Sequence, residues 1–296
     1  MKVLVSGASG FLGSNLIPYL EDLASITSLG RNTNFRDELS DTHAIINLAG
    51  LAHDLKSVAD PSSYYQVNSA YSNRLFDAFL ASDAEVFITI SSVKAIADTT
   101  DDILVEEVSP NPQTHYGKSK LMAEYYIQSK QIPAGKRVYI LRPCMIHGPG
   151  NKGNLNLVYQ VIKRGFPWPL ASFSNKRSYC SVENICFVIK ELIERNDISS
   201  GTYHIADDDA LDTNQVIQLI GESLNQKVYL IPIPKGFITF IARLGDLLHL
   251  PLNSERLTKL TENYLVSNQK LKNALGKELP VQAREGLLAT LASFKS

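Results

Sequence analysis

The sequence has no long run of apolar residues. Nowhere do eighteen follow one another, and the amino-terminal MKVLVSGASG is interrupted after a few positions, so neither a membrane span nor a signal peptide is predicted. The stretch GFITFIARLGDLLHL, from Gly236 to Leu250, comes nearest, but Arg243, Asp246 and His249 recur within it. This pattern predicts an amphipathic helix packed on its own domain, and no membrane partner is expected.

The chain also lacks a charge excess of either sign. Its 296 residues include 29 basic and 30 acidic ones, without a basic cluster. This balance argues against nucleic acid as a partner and leaves a small molecule as the expectation.

The sequence contains few cysteines, and their spacing does not match a disulfide or metal motif. The three residues Cys144, Cys180 and Cys186 form no C-x-x-C motif, and the histidines lack metal-ligand spacing. Neither a disulfide framework nor a metal site is predicted, and a reducing cytoplasm is the expected location.

The first 150 residues alternate short apolar runs with longer amphipathic segments, which is typical of βαβ units. We therefore predict an α/β fold in which residues 1–150 form a Rossmann-type, doubly wound parallel sheet. After the Gly- and Asn-rich stretch from Ile146 to Asn154 the pattern becomes mixed. A smaller α/β substrate-binding domain, with segments that can interleave, is predicted over residues 151–296.

A glycine loop, GASGFLG, directly follows the first predicted strand. Gly7, Gly10 and Gly13 are spaced three apart, and an apolar helix that opens with Phe11 and Leu12 comes next. Glycines allow the sharp turn and let backbone amides approach a pyrophosphate at the helix amino terminus. The loop therefore predicts a dinucleotide site.

The end of the second predicted strand lacks the carboxylate that usually binds the ribose 2′-hydroxyl. The sequence there is LGRNTNF, in which Arg31, helped by Asn32 and Thr33, can meet a 2′-phosphate. NADP(H) is therefore favoured and NAD(H) remains the alternative. An adenine lid or a solvated loop charge is the other interpretation of Arg31.

Tyr116 and Lys120 are four residues apart in a predicted helix and so share one face. A neighbouring ammonium is expected to lower the tyrosine pKa towards the range of a general acid or base. Upstream, Ser91 and Ser92 end a buried strand at the edge where a parallel sheet binds ligands. The combination predicts a catalytic hydroxyl, phenol and ammonium, although capping of the next turn is the alternative role for the serine.

These motifs together resemble the extended short-chain dehydrogenases/reductases, the NAD-dependent epimerase/dehydratase family. The resemblance includes GASGFLG, NLAG at Asn47 to Gly50, ISS at Ile90 to Ser92, YGKSK at Tyr116 to Lys120 and LRPCMIHGPG at Leu141 to Gly150. It implies that Ser92, Tyr116 and Lys120 are catalytic, with Lys120 also on the nicotinamide ribose. It places Leu48, Ala49, Gly50 and Pro143 along the cofactor and Asn68 in support of the site.

The residues after Ser92 indicate which members of this family the chain resembles most. Val93 and Lys94 stand where 4,6-dehydratases carry an Asp-Glu pair, so elimination of water is disfavoured. The chain is most similar to bacterial UDP-sugar 4-ketoreductases that make 6-deoxy-N-acetylhexosamines for polysaccharides. A 4-epimerase using the same three residues is the alternative, and a non-catalytic dinucleotide-binding regulator is the alternative from another class.

The nucleotide sugar is the expected partner. Lys94, Asn154 and Arg177 are predicted to contact it beside Ser92, with exposure to solvent as the alternative for Lys94. The resemblance further implies a homodimer through the predicted helices Ser62 to Ala81 and Gln113 to Lys130.

Overall fold

The computed structural model describes residues 1–30, 35–51, 60–100, 102–151, 153–248 and 252–295. The strands in these ranges are β1 (Lys2–Ser6), β2 (Ser25–Leu29), β3 (Thr42–Asn47), β4 (Val86–Ile90), β5 (Arg137–Pro143), β6 (Met145–His147), β7 (Arg177–Ser181), β8 (Gly201–Ile205) and β9 (Ala210–Leu211).

The α-helices in the same ranges are α1 (Phe11–Leu20), α2 (Phe35–Glu38), α3 (Ser62–Tyr64), α4 (Ser72–Leu80), α5 (His115–Gln128), α6 (Asn154–Lys163), α7 (Val182–Glu194), α8 (Thr213–Leu224), α9 (Lys235–Leu248), α10 (Ser254–Thr261), α11 (Gln269–Leu275) and α12 (Ala283–Ser293). A π-helical segment, Tyr65–Tyr71, joins α3 to α4, and a 3₁₀ turn, Val93–Ala95, follows β4. Among the described helices, none has the length and apolar character needed to cross a bilayer.

Six strands form one parallel sheet in the order β2-β1-β3-β4-β5-β8. Its strands alternate buried side chains between the two faces. Val3 and Val5 of β1 join a core with α1 and α7, whereas Leu4 joins a core with α4 and α5. Helices therefore cover both faces of the sheet, which confirms the predicted Rossmann-type fold.

The strand order reverses between β1 and β3, which are neighbours although β2 separates them in sequence. In open parallel sheets ligands bind at such a switch point, beyond the carboxyl ends of the strands. The glycine loop after β1 and the NLAG segment at the end of β3 both lie there.

A second apolar cluster lies among α6, α8, α9 and α12, near the three-stranded sheet β6-β7-β9. Strand β8, which the sequence pattern placed in the second domain, instead pairs with β5 in the six-stranded sheet. Segments after residue 150 therefore contribute to both sheets, and the division near that residue stays a prediction.

Candidate active site

The glycine loop packs tightly against the end of β3. Gly7 has φ +72°, and a Cβ there would lie 2.7 Å from the Ala49 nitrogen. At Gly13 a Cβ would lie 2.4 Å from the Ala8 carbonyl oxygen. Both positions therefore require glycine, one for its backbone conformation and for space, the other for space alone.

Helix α1 begins at the loop without a side-chain cap. Gly10 is the N-cap and makes no side-chain cap hydrogen bond. The N–H groups of the next residues, Phe11 and Leu12, have no partner within the helix because of its geometry. This open helix terminus fits the pyrophosphate of a dinucleotide.

The NLAG segment connects the loop to the centre of the site. Leu48 N donates to the Ser6 carbonyl at 3.1 Å, and Ala49 N donates to Ser6 Oγ at 3.3 Å. A Cβ at Gly50 would lie 2.9 Å from Lys120 Nζ. Leu48, Ala49 and Gly50 thus lie between the glycine loop and Lys120.

Helix α5 carries the phenol and the ammonium. Its N-cap Thr114 accepts a hydrogen bond from Gly117 N at 3.2 Å. The Asp98 carboxylate accepts from Gln113 N at 2.6 Å and from Thr114 Oγ1 at 3.1 Å. Two caps therefore set where the helix starts and so orient Tyr116 in its first turn.

Ser92 and Tyr116 are brought together by β4 and α5. Ser92 is only 8% exposed, and hydrogen bonding from its hydroxyl acts to lower the pKa of the Tyr116 phenol. Ser92 Oγ also accepts from Lys94 N at 3.2 Å, so the hydroxyl caps the following 3₁₀ turn as well. Pro143 ends the adjacent strand β5 and is buried.

The pKa of the Tyr116 phenol is shifted in the direction opposite to the sequence-based expectation. Desolvation raises it above its ordinary value, while the hydrogen bond from Ser92 opposes that rise. The expected lowering was therefore wrong, because desolvation outweighs the favourable hydrogen bond. A raised pKa keeps the phenol protonated at neutral pH, which suits a proton donor.

Lys120 is buried directly beneath the end of β4. Its Nζ donates to the Ile90 carbonyl at 2.8 Å, and its side chain is 7% exposed. Burial lowers the pKa of Lys120 to about 8, and the Glu124 carboxylate opposes that lowering. The ammonium is thus close to its titration range at working pH.

A buried ion pair supports this part of the site. Arg142 Nη2 donates to Glu124 Oε2 at 2.6 Å, and Arg142 Nε donates to Oε1 at 3.0 Å. Ser91 Oγ donates to the same carboxylate. The sequence analysis did not single out Glu124 or Arg142, although the spacing of Glu124 four residues after Lys120 was a usable signal.

Asn68 projects into the site from the π-helical segment. Its side chain accepts from Leu51 N at 2.8 Å and donates to Ser119 Oγ at 3.0 Å. The side chain is 1% exposed. It ties the segment after β3 to α5, consistent with the supporting role that the resemblance implies.

The predicted substrate contacts Lys94 and Arg177 lie near each other and interact with protein groups. Lys94 Nζ donates to the Asp98 carbonyl and lies 4.2 Å from the Tyr264 ring centroid. Burial lowers the Lys94 pKa. Arg177 donates to the Lys259 carbonyl and pairs with Glu262 at 3.5 Å.

The side chains of two further predicted residues, Arg31 and Asn154, are not described by the structure. Arg31, with Asn32 and Thr33, lies outside the described residues. Asn154 begins α6, and only its backbone is described.

Comparisons with known proteins point to one family. Residues 3–206 match the family model described as "NAD dependent epimerase/dehydratase family". A Vibrio cholerae UDP-glucose 4-epimerase is 25% identical over 99% of this chain and 95% of its own. The N-acetyl-alpha-D-glucosaminyl-diphospho-ditrans,octacis-undecaprenol 4-epimerase of Escherichia coli O157:H7 is 28% identical over 80% of this chain and 77% of its own.

A reductase and a solved structure are also similar. The GDP-6-deoxy-D-mannose reductase of Pseudomonas aeruginosa is 24% identical over 79% of this chain and 83% of its own. The crystal structure of a Bacillus cereus UDP-N-acetylglucosamine 4-epimerase superposes with a TM-score of 0.79 at 20% identity, covering 100% of both chains. That structural likeness shows the fold.

Proposed function

Because the chain belongs to the NAD dependent epimerase/dehydratase family, we propose that it catalyses hydride transfer at C4 of a nucleotide-activated sugar. The observation that carries this proposal is the placement of the buried Ser92 hydroxyl next to the Tyr116 phenol. The two groups lie beside Lys120 at the same edge of the sheet as the glycine loop.

Each of the three residues has a distinct proposed role. A bound nicotinamide dinucleotide supplies the hydride that C4 gains, or takes up the one it loses. In reduction, Tyr116 gives its phenolic proton to O4 as the carbonyl becomes an alcohol, and the Ser92 hydroxyl holds that oxygen. The Lys120 ammonium, one helical turn away, favours the phenolate left on Tyr116 and binds the ribose.

The residues after Ser92 argue against dehydration. Val93 is buried, and the Lys94 ammonium is held by the Asp98 carbonyl and the Tyr264 ring. Neither side chain offers the carboxylate acid and base that elimination of water requires. Hydride and proton exchange at a single carbon is therefore the proposed chemistry.

For the net reaction we favour reduction of the C4 ketone of a UDP-linked 6-deoxy-hexosamine in polysaccharide precursor synthesis. The basic Arg31 at the end of the second strand supports NADP(H), which is drawn from the pool and exchanged after each turnover. The similar Pseudomonas aeruginosa reductase is consistent with this direction. Lys94, Asn154 and Arg177 are the proposed contacts to the nucleotide sugar, and a homodimer is the proposed assembly.

A UDP-sugar 4-epimerase is the second candidate. It is favoured by the Vibrio cholerae relative, which matches this chain over nearly its whole length. An epimerase uses the same three residues. It removes the hydride from C4 and returns it to the opposite face of the sugar, so no coenzyme is consumed.

Coenzyme consumption separates the two candidates. The purified protein is incubated with NADPH or NADH and a panel of UDP and dTDP 4-keto sugars, and coenzyme oxidation is followed by absorbance. We expect stoichiometric oxidation, faster with NADPH. Interconversion of UDP-sugars by protein carrying tightly bound NAD, without added reductant, would establish the epimerase instead.

A further inference from the structure

Helix α9 is apolar on two faces, and one of them is not covered by any residue that the structure describes. Ile238, Ala242 and Gly245 are buried against the second cluster. Five other large apolar side chains are between 39% and 76% exposed, and together they are termed the α9 surface: Phe237, Phe240, Leu244, Leu247 and Leu248. The sequence-based expectation of a helix packed on its own domain describes the first face only, and its last two residues, 249 and 250, lie outside the described residues.

The spacing of these side chains makes the α9 surface continuous along the helix. At about 100° per residue, positions 237, 240, 244, 247 and 248 fall within an arc of roughly 100°. The stripe runs almost the full length of α9, about 20 Å at 1.5 Å per residue. An exposed apolar stripe of this kind is characteristic of an interaction surface.

Further exposed apolar residues lie in the segment that leads into α9. Trp168 N donates to the Tyr229 carbonyl, and Ile231 N donates to the Trp168 carbonyl, both at 2.8 Å. These bonds hold Trp168, which follows α6 in the sequence, alongside residues 229–231. Phe166, Tyr229 and Ile231 are 59%, 60% and 41% exposed.

The charges in these segments are nearly all of one sign. Residues 163–166 and 227–248 contain five basic side chains, Lys163, Arg164, Lys227, Lys235 and Arg243, and a single acidic one, Asp246. All five basic residues are exposed. The whole chain has a net charge of −1, so this cationic character is local. Asp246 itself accepts hydrogen bonds from Ser254.

Contrary to the sequence-based expectation of no membrane partner, we propose that the α9 surface binds the anionic phospholipid surface of a membrane, with α9 lying in the plane of the interface. Phe and Leu side chains would enter the boundary between head groups and acyl chains, while the surrounding cations meet lipid phosphates. Charge distinguishes this occupant from a second copy of the chain, because two such surfaces placed face to face would bring like charges together.

The surface is separate from the proposed chemistry. None of its side chains is among those assembled around Ser92, Tyr116 and Lys120. Membrane binding and turnover of a water-soluble substrate can therefore be measured independently.

Flotation of vesicles with the full-length protein tests the proposal. Vesicles of phosphatidylcholine with phosphatidylglycerol are compared with vesicles of phosphatidylcholine alone, at low and high salt. We expect flotation with the anionic vesicles, weakened by salt, and little with the neutral ones.

Two sets of variants locate the binding surface. The pair Phe240→Gln with Leu247→Gln is expected to lower the vesicle partition coefficient about tenfold or more. Arg243→Gln is expected to lower it about fivefold, because a cation near an anionic surface contributes about 1 kcal/mol. Ile103→Gln is the matched control, since Ile103 is 58% exposed outside these segments and its loss should leave binding unchanged.

Defined outcomes would overturn the proposal. One is no flotation of the wild-type protein with anionic vesicles. Another is equal flotation of the wild type and Arg243→Gln, which removes only an exposed charge and so keeps the fold. A third is a wild-type dimer that dissociates on Phe240→Gln with Leu247→Gln, which would assign the surface to a second copy.

Discussion

Glu124 and Arg142 form a two-point ion pair in the interior, with side chains only 2% and 6% exposed. The pair joins α5, which carries Tyr116 and Lys120, to β5, which ends at Pro143. Two desolvated charges are tolerated because each has the other as a hydrogen-bonded partner.

Removing one partner of this pair should destabilise the fold strongly. Glu124→Leu leaves a buried guanidinium unpaired, so we expect the free energy of unfolding to fall by about 3–5 kcal/mol. Adding Arg142→Met should recover part of that loss. Urea denaturation measures both, with Glu222→Gln as the control, because Glu222 pairs with Arg284 on the surface and its loss should cost less than about 1 kcal/mol. Equal losses in Glu124→Leu and Glu222→Gln would contradict the prediction.

Replacement of the phenol should remove the proton donor without removing the cofactor site. For Tyr116→Phe we expect kcat to fall by about 10²- to 10⁴-fold, with dinucleotide affinity retained. Stopped-flow assays and fluorescence titration measure the two quantities. Tyr125→Phe, on the same helix but 54% exposed, is the control and should behave as the wild type. Full activity of Tyr116→Phe would show that Tyr116 is not the proton donor.

Lys120 should impose an alkaline limit on activity. Its folded pKa of about 8 lies below the ordinary value of 10.5, so the ammonium is present below pH 8 and lost as pH rises through that value. Activity that needs this charge should decline over the same range in a pH–rate profile. Loss of the charge also removes the free-energy cost of burying the ammonium. The contribution of Lys120 to the free energy of unfolding therefore rises between pH 8 and 10.5.

Arginine substitution tests this assignment because a guanidinium stays charged throughout the range. Lys120→Arg should lower kcat but move the alkaline limb to higher pH. Lys118→Arg, an exposed position on the same helix, should leave the limb in place. A limb that stays near pH 8 in Lys120→Arg would assign the titration to another group.

A methyl group in the glycine loop should disturb the dinucleotide site. Gly7→Ala combines a positive φ with a contact at 2.7 Å from Ala49 N, so we expect lower stability and clearly weaker dinucleotide binding. Gly135→Ala is the matched control, since Gly135 has φ +84° but no atom within 4 Å of the added Cβ. It should cost about 1–2 kcal/mol of stability and leave binding unchanged. Calorimetry and fluorescence titration compare the two, and equal binding in both variants would argue against a cofactor at the loop.

Much of the framework can be predicted from local patterns. The sequence predicts strands at Lys2–Ser6 and Arg137–Pro143, and β1 and β5 have these bounds, because continuous apolar runs between breakers allow few alternatives. Helical periodicity likewise predicts a helix at Val182–Glu194, and these are the bounds of α7. Helix α5 is shorter than predicted, since Thr114 and Asp98 cap it two residues after Gln113.

Features that depend on distant residues are not visible in such patterns. The pairing of β8 with β5, the Glu124–Arg142 ion pair and the cap from Asp98 each join residues far apart in sequence. The direction of the Tyr116 pKa shift likewise depends on how deeply tertiary packing desolvates the phenol. Motif spacing alone therefore predicts the acid but not its electrostatic environment.

The π-helical segment Tyr65–Tyr71 makes the site sensitive to chain length at one point. Such a segment holds about one residue more than an α-helix spanning the same hydrogen-bonded turns. Deleting a single residue after Asn68 would rotate its side chain by about 100° relative to α4. Asn68 would then turn away from Leu51 and Ser119, although every apolar residue of α4 kept its place. An insertion or deletion here would therefore act as a change of angle at the active site, while the core beneath it remained intact.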